Sequence, residues 1–172
     1  MICTGTLITS QHILTAGHCV DSDKNGTIDF LASNATVFFN HNNPTNNLAG
    51  ATSRGVSQIT IHPTYTGFDN PALNDDVSVL TLSSPAPAGV PIYPRSTAPV
   101  TIAQQLVLAG YGTTGTGTGG SVPDSSNFFV KHTGQNVTAT FDPDDEGSGS
   151  REIYVFDFDG PTTATNTLLS WL

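Results

Sequence analysis

Positive charge is scarce in this sequence. Its 172 residues include 5 lysines and arginines against 14 aspartates and glutamates, so the formal net charge is -9 at pH 7. Proteins that bind phosphate backbones or anionic membrane surfaces do so through clustered lysine and arginine side chains. The charge balance therefore predicts that neither nucleic acid nor a membrane is a partner.

Long apolar runs and helical patterns are also lacking. The longest stretch of apolar character, residues 77–94, contains four prolines and cannot form a membrane-spanning helix. No segment keeps the 3.6-residue periodicity of an amphipathic helix. Met1 is followed by strand-like sequence, without the basic and apolar regions of a secretory signal, so no signal peptide is visible.

The chain instead contains short β-prone runs separated by clusters of glycine, proline, asparagine and aspartate. These runs lie at 4–9, 12–16, 36–39, 56–61, 77–82, 105–109, 127–132, 137–141 and 153–158. Many short strands with turn signals between them are typical of a sandwich or barrel, so we predict an all-β fold. A proline-rich connector divides the chain, and we predict a first unit at 1–90, the connector at 91–104 and a second unit at 105–172.

Only two cysteines, Cys3 and Cys19, are present. Two are too few for a structural zinc site unless histidines contribute, and their spacing is not that of a zinc motif. We favour a disulfide, which would stabilise the fold by about 3 kcal/mol and would indicate an oxidising compartment. A pair of buried free thiols is the alternative.

Four parts of the chain carry motifs in a specific order. They are Cys3-Thr4-Gly5-Thr6-Leu7-Ile8 with Leu14-Thr15-Ala16-Gly17-His18-Cys19, the run ending in His62-Pro63-Thr64-Tyr65, Asn74-Asp75-Asp76-Val77-Ser78-Val79-Leu80-Thr81-Leu82, and Val107-Leu108-Ala109-Gly110-Tyr111-Gly112. The first resembles the histidine motif of chymotrypsin-like serine proteases of the trypsin family, Cys-Gly-Gly-Thr-Leu-Ile and Leu-Thr-Ala-Ala-His-Cys. The others are similar to that family's His-Pro-x-Tyr turn, its aspartate segment Asn-Asp-Ile-Ala-Leu-Leu and its Gly-Trp-Gly entry into the second barrel.

This resemblance implies a chymotrypsin-like double β-barrel and a monomeric, extracellular or periplasmic serine endopeptidase that acts on protein or peptide substrates and requires no cofactor for catalysis. It also implies a disulfide between Cys3 and Cys19, His18 as the general base and Asp76 as the carboxylate that orients it. Histidine suits this role because its ordinary pKa lets it take and return a proton near neutral pH. Asp75 is the competing acid, and we expect it to face solvent.

The nucleophile motif of the family, Gly-Asp-Ser-Gly-Gly, does not occur in the sequence. Glu146-Gly147-Ser148-Gly149-Ser150 has glycines around serine but lacks the aspartate. We therefore expect this chain alone to hydrolyse nothing and to be a fragment whose second barrel is truncated, with the serine beyond Leu172. The alternative is a homologue that has lost catalysis and kept a binding surface.

An acidic segment directly after Cys19 follows the pattern of an EF-hand calcium loop. The candidate ligands are Asp21, Asp23, Asn25, Thr27 and Asp29. Position twelve of the loop, which carries a bidentate glutamate in EF-hands, is Ala32, so a site here would be weak unless Asp29 or a remote acid completes it. A structural calcium, and with it a calcium-stabilised binding module, is one interpretation; an Asx-rich surface turn is the other.

Overall fold

The computed structural model describes residues 2–39, 48, 50–68, 75–116, 120–122, 129–143 and 151–156. Its contacts divide the chain into two compact units, one at 1–43 and 47–96 and the other at 44–46 and 97–172. The boundary between residues 96 and 97 falls within the segment predicted as a connector. No helix in the described part of the chain has the length and apolar character needed to cross a membrane.

The first unit contains a five-stranded antiparallel sheet. Its strands are β1 at Thr6–Leu7, β2 at His12–Thr15, β3 at Thr36–Phe39, β4 at Thr52–Ile61 and β5 at Ser78–Leu82. In space they follow the order β1-β2-β5-β4-β3, so β2 and β5 lie side by side although they are far apart in sequence. Two single 3₁₀ turns, Gly17–Cys19 and Ala32–Asn34, are the helical elements of this unit's described residues.

The core of the first unit lies on one face of this sheet. Leu7 and Ile13 are Cα partners in the β1–β2 pair, and both are buried. Leu82 of β5 and Phe39 of β3 complete the buried cluster. Burial of such large apolar side chains contributes about 1.5–3 kcal/mol each, which makes this cluster the main support of the sheet.

The second unit is built from antiparallel strand pairs. Its strands are β6 at Gln105–Gly110, β7 at Gly115–Thr116, β8 at Gly120–Ser121, β9 at His132–Val137, β10 at Thr140–Pro143 and β11 at Arg151–Val155. They pair as β6 with β9, β7 with β8, and β10 with β11. Thr138 and Ala139, which connect β9 to β10, are buried. The Ala139 N–H donates to the Val155 carbonyl at 2.8 Å.

The all-β prediction is confirmed, but two predicted strands of the second unit are misplaced. Residues 129 and 130 lie in a turn and a bend, and the strand predicted at 127–132 instead begins at His132 and continues to Val137. The strand predicted at 137–141 instead spans Thr140–Pro143. Residues 127, 128, 157 and 158 lie outside the described part of the chain. The error has a physical cause: β9 is largely polar and exposed on both faces, so it lacks the apolar alternation by which a half-buried strand is recognised.

Candidate active site

The pairing of β2 with β5 brings two predicted site residues to the same end of these strands. Thr15, at the end of β2, is the Cα partner of Ser78 at the start of β5. His18 follows the first position by three residues, and Asp76 precedes the second by two. Because the strands are antiparallel, the end of β2 and the start of β5 lie side by side, and both residues lie just beyond them. The Ser78 hydroxyl, itself buried, donates to the Ala16 carbonyl at 2.8 Å and joins the two strand ends.

The backbone around His18 is held in a 3₁₀ turn that starts after Ala16. The Val20 N–H donates to the Gly17 carbonyl at 2.9 Å. A disulfide joins Cys19 to Cys3, with the two Cα atoms 6.2 Å apart, so the predicted disulfide is confirmed. The cross-link ties the turn to the segment that leads into β1, and this fixes the position of the histidine from both sides.

His18 and Asp76 form two hydrogen bonds with each other. The backbone N–H of His18 donates to Asp76 Oδ1 at 2.7 Å, and His18 Nδ1 lies 2.7 Å from Asp76 Oδ2. A carboxylate only accepts hydrogen bonds, so this contact requires the proton of a neutral imidazole to be on Nδ1. Nε2 is then the nitrogen that can take a proton from a reacting group. The imidazole is partly open, with 39% of the side chain exposed.

Gly17 and Tyr65 form the floor beneath this pair. A Cβ added to Gly17 would lie 3.2 Å from Asp76 Oδ1 and 3.3 Å from the Tyr65 ring, so a larger residue would crowd the carboxylate. Burial raises the pKa of Tyr65 to about 12, and the negative charges of Asp21 and Asp76 add to the shift. The tyrosine side chain therefore stays neutral beside two acidic groups throughout the physiological pH range.

Asp75, the competing acid, has a different partner. Its Oδ1 lies 2.9 Å from Nδ1 of His62, and its side chain is only 10% exposed. The Thr64 hydroxyl is hydrogen-bonded to the same carboxylate. The expectation that Asp75 faces solvent is therefore wrong. The cause is its backbone, which takes a positive φ of 55° and turns this side chain toward the His-Pro-x-Tyr turn and away from His18.

The sequence did not assign a role in this site to Phe68 or Tyr65. The Phe68 ring packs against the imidazole with centroids 4.7 Å apart and planes tilted by 56°. The Lys24 Nζ lies 5.4 Å from the centroid of the same ring. A tilted aromatic contact restricts how the imidazole can rotate. Phe68 carries no motif of its own, whereas Tyr65 stood in a recognised turn without an assigned role.

The acidic loop brings three of its five candidate ligands together. Asp21, Asp23 and Asp29 each place a carboxylate oxygen within 4.8 Å of the others. The side-chain oxygen of Asn25 accepts the backbone N–H of Thr27 at 2.9 Å and is also hydrogen-bonded to the Thr27 hydroxyl. Hydrogen bonds from the Ser22 hydroxyl and backbone lower the pKa of Asp29 below its ordinary value of 3.8.

Several sequence predictions fall partly outside the described residues. Residues 144–150, which include the Gly-Ser segment, and Asn74 of the aspartate motif are among these. Within the described part of the chain, the His18 ring is hydrogen-bonded to the Asp76 carboxylate and packs against Phe68. The described site thus contains a histidine whose ring and backbone are both held by one carboxylate.

Comparison with known proteins shows the family to which this chain is similar. A family model described as Trypsin matches residues 1–140. The chain is 35% identical over 71 residues to a venom serine protease of Polistes dominula, covering 41% of this chain and 24% of that protein. It is 31% identical over 114 residues to serine protease SP24D of Anopheles gambiae, covering 65% and 38%. Vitamin K-dependent protein C of Rattus norvegicus is 29% identical over 119 residues, covering 69% and 23%.

These matches agree with the strands described above. The curled sheet of the first unit fits the β-barrel fold that the resemblance implied. The chain spans between 23% and 38% of the length of these curated relatives.

Proposed function

Because this chain belongs to the trypsin family, we propose that it forms part of a secreted serine endopeptidase that hydrolyses peptide bonds through a Ser-His-Asp triad. His18 is the general base and acid of that triad, and Asp76 is its orienting carboxylate. The nucleophilic serine comes from protein sequence outside this chain. Substrates are proteins or peptides, and the protein acts as a monomer.

The hydrogen bonds between His18 and Asp76 carry this proposal. A serine hydroxyl is a weak nucleophile until a neighbouring base removes its proton during attack. His18 can do so through Nε2, since Asp76 accepts a hydrogen bond from the Nδ1–H group and so selects the required tautomer. The carboxylate then stabilises the imidazolium that forms, and the imidazole returns the proton to the leaving amine.

Two further features support an extracellular or periplasmic location. The Cys3–Cys19 disulfide would persist only in an oxidising compartment. One relative is named a venom protein, which is consistent with secretion. The supporting evidence for catalysis itself is the arrangement of the two side chains together with two relatives named serine proteases.

The proposal is tested in the parent protein. The coding sequence downstream of Leu172 is determined, and the extended protein is expressed and treated with a fluorophosphonate probe that labels activated serines. We expect a Gly-Asp-Ser-Gly segment, labelling of its serine and hydrolysis of a casein substrate. His18→Ala should reduce kcat by about four to six orders of magnitude with the fold retained.

His62→Ala is the matched control. His62 also pairs with an aspartate, but its partner is Asp75, which is not part of the proposed triad. It should leave kcat within about twofold of the unmodified protein, since its loss removes no group of the triad. If the downstream sequence ends without a serine motif, or if both histidine variants hydrolyse casein equally, the triad assignment is wrong. The first of these outcomes supports a non-catalytic homologue.

A further inference from the structure

The acidic loop after Cys19 gathers negative charge in a partly buried position. Asp21 is only 1% exposed, and one oxygen from each of Asp21, Asp23 and Asp29 lies within 4.8 Å of the others. Like charges this close repel each other, and burial of an ionised carboxylate adds a desolvation cost. Carboxylate oxygens are also the ligands that calcium prefers.

A second, independent feature lies on the inner side of this loop. The Tyr65 side chain is 95% buried, since its exposed fraction is 5%. Within the described residues its Oη makes no hydrogen bond of proper geometry, although the hydroxyl lies near the Asp21 carboxylate and the Phe68 backbone N–H. A buried hydroxyl without a well-formed hydrogen bond costs about 1–3 kcal/mol, so an ion or a water beside it would stabilise this position. Its place next to Asp21 puts the hydroxyl on the inner side of the acidic loop.

The loop is also in contact with the segment that reaches His18. A Cβ added to Gly67 would lie 2.2 Å from the Lys24 backbone oxygen, and one added to Gly26 would lie 3.0 Å from Thr66. The backbone of the loop and the backbone of residues 66–67 thus touch directly. Phe68, the next residue, packs against the His18 imidazole at 4.7 Å.

We propose that Asp21, Asp23 and Asp29 bind a divalent cation of the calcium type, and that the bound cation fixes the Phe68 ring against His18. The cation neutralises the three converging carboxylates, and it or its bound water supplies a partner for the Tyr65 hydroxyl. Because the loop touches residues 66–67, a rigid loop holds Phe68 in place. The link to catalysis rests on the proposed role of His18, whereas the binding site does not.

The test uses the full chain, freed of metal with EDTA and titrated with calcium chloride by calorimetry and by NMR of the ring signals of His18 and Phe68. We expect one calcium per chain with a Kd of about 10⁻⁴–10⁻³ M, since no bidentate glutamate completes the loop. Magnesium chloride should bind at least about tenfold more weakly, because magnesium demands a smaller octahedral site.

Asp23→Asn removes one carboxylate charge at an exposed position and should weaken calcium binding at least about tenfold without loss of the fold. Asp142→Asn, an equally exposed aspartate in the second unit, is the control and should bind calcium as the unmodified chain does. Absence of binding up to about 10 mM calcium, or equal affinity of both variants, overturns the site.

Calcium binding without movement of the His18 and Phe68 signals overturns the link to His18 and keeps the site. These readouts need no nucleophile, so they are independent of hydrolysis. A parent protein that proves inactive would refute the proposed protease function and leave the cation site standing.

Discussion

Asp76 holds His18 through both of its carboxylate oxygens, one bonded to the imidazole Nδ1 and the other to the backbone N–H of the same residue, each at 2.7 Å. The two contacts fix different things. The backbone bond sets the distance between the 3₁₀ turn and the start of β5, and the ring bond selects the tautomer. Removing the charge of Asp76 should therefore change the tautomer while the turn stays in place.

Asp76→Asn tests this separation. The amide oxygen of asparagine can still accept the His18 backbone N–H, which leaves its NH₂ group facing Nδ1. Nδ1 must then accept, so the neutral imidazole moves its proton to Nε2. Nitrogen-15 NMR of the His18 ring above pH 8 should show protonated Nδ1 in the unmodified chain and protonated Nε2 in the variant. The same tautomer in both proteins would mean that Asp76 does not control the ring.

The disulfide should contribute a defined part of the stability. The double variant Cys3→Ser/Cys19→Ser opens a loop whose ends are 16 residues apart. A cross-link over about 15 residues lowers the entropy of the unfolded chain, so we expect the free energy of unfolding to fall by about 3 kcal/mol. Urea unfolding followed by far-ultraviolet circular dichroism measures the change. Dithiothreitol should destabilise the unmodified chain by a similar amount and leave the variant unaffected.

Substitutions of Gly67 and Gly89 distinguish the energetic cost of a positive φ from the cost of a steric clash. Its φ is +113°, and an added Cβ would lie 2.2 Å from the Lys24 carbonyl oxygen. Gly89 has a comparable φ of +84° with nothing within 4 Å of an added Cβ. Gly89→Ala should therefore reduce the free energy of unfolding by about 1 kcal/mol, from φ alone. Gly67→Ala should cost about 3 kcal/mol or more, since a main-chain clash is added. Equal losses would contradict the contact between the two loops.

Stability at acid pH should depend on Asp29. Hydrogen bonds from Ser22 lower the pKa of Asp29 in the folded protein below its ordinary value of 3.8. As the pH falls, Asp29 is protonated in the unfolded chain before it is protonated in the folded protein. The contribution of Asp29 to the free energy of unfolding is therefore present above pH 3.8 and is lost as the pH drops through the lowered pKa of the folded protein. Urea midpoints measured between neutral and acid pH in EDTA should fall less steeply in Asp29→Asn. Ser22→Ala, which removes one donor and keeps the backbone donors, should give an intermediate slope.

The local elements of the first unit could largely be predicted from sequence. The predicted strand at 36–39 coincides with β3, and the predictions at 12–16 and 77–82 each exceed their strands by one residue. Alternating apolar side chains give a strong signal where one face of a strand is buried. In the second unit, the strand predicted at 127–132 lies several residues before β9, because the polar, exposed sequence of β9 lacks that alternation.

The contents of the site were predictable only in part. His18 and Asp76 stand in motifs that can be recognised one at a time, and the structure brings them together. Phe68 could not be found, because a single phenylalanine in a loop gives no local signal for the residue it will contact. The sequence predicted Asp29 as one of the acids that could join Asp21 and Asp23. The structure brings the three carboxylates together, and the turn at Gly26 makes this possible.

The sequence by itself determined that this chain is an acidic, strand-rich member of the trypsin family with one candidate base and two adjacent candidate acids. The resemblance already favoured Asp76 as the partner of His18, but only the tertiary structure showed that Asp75 pairs with His62. Asp75 and Asp76 are consecutive, yet a positive φ at Asp75 sends its carboxylate to His62, while the antiparallel pairing of β2 with β5 presents Asp76 to His18. Neighbours in sequence therefore pair with different histidines, because backbone direction and strand pairing act over distances that local residue patterns do not encode.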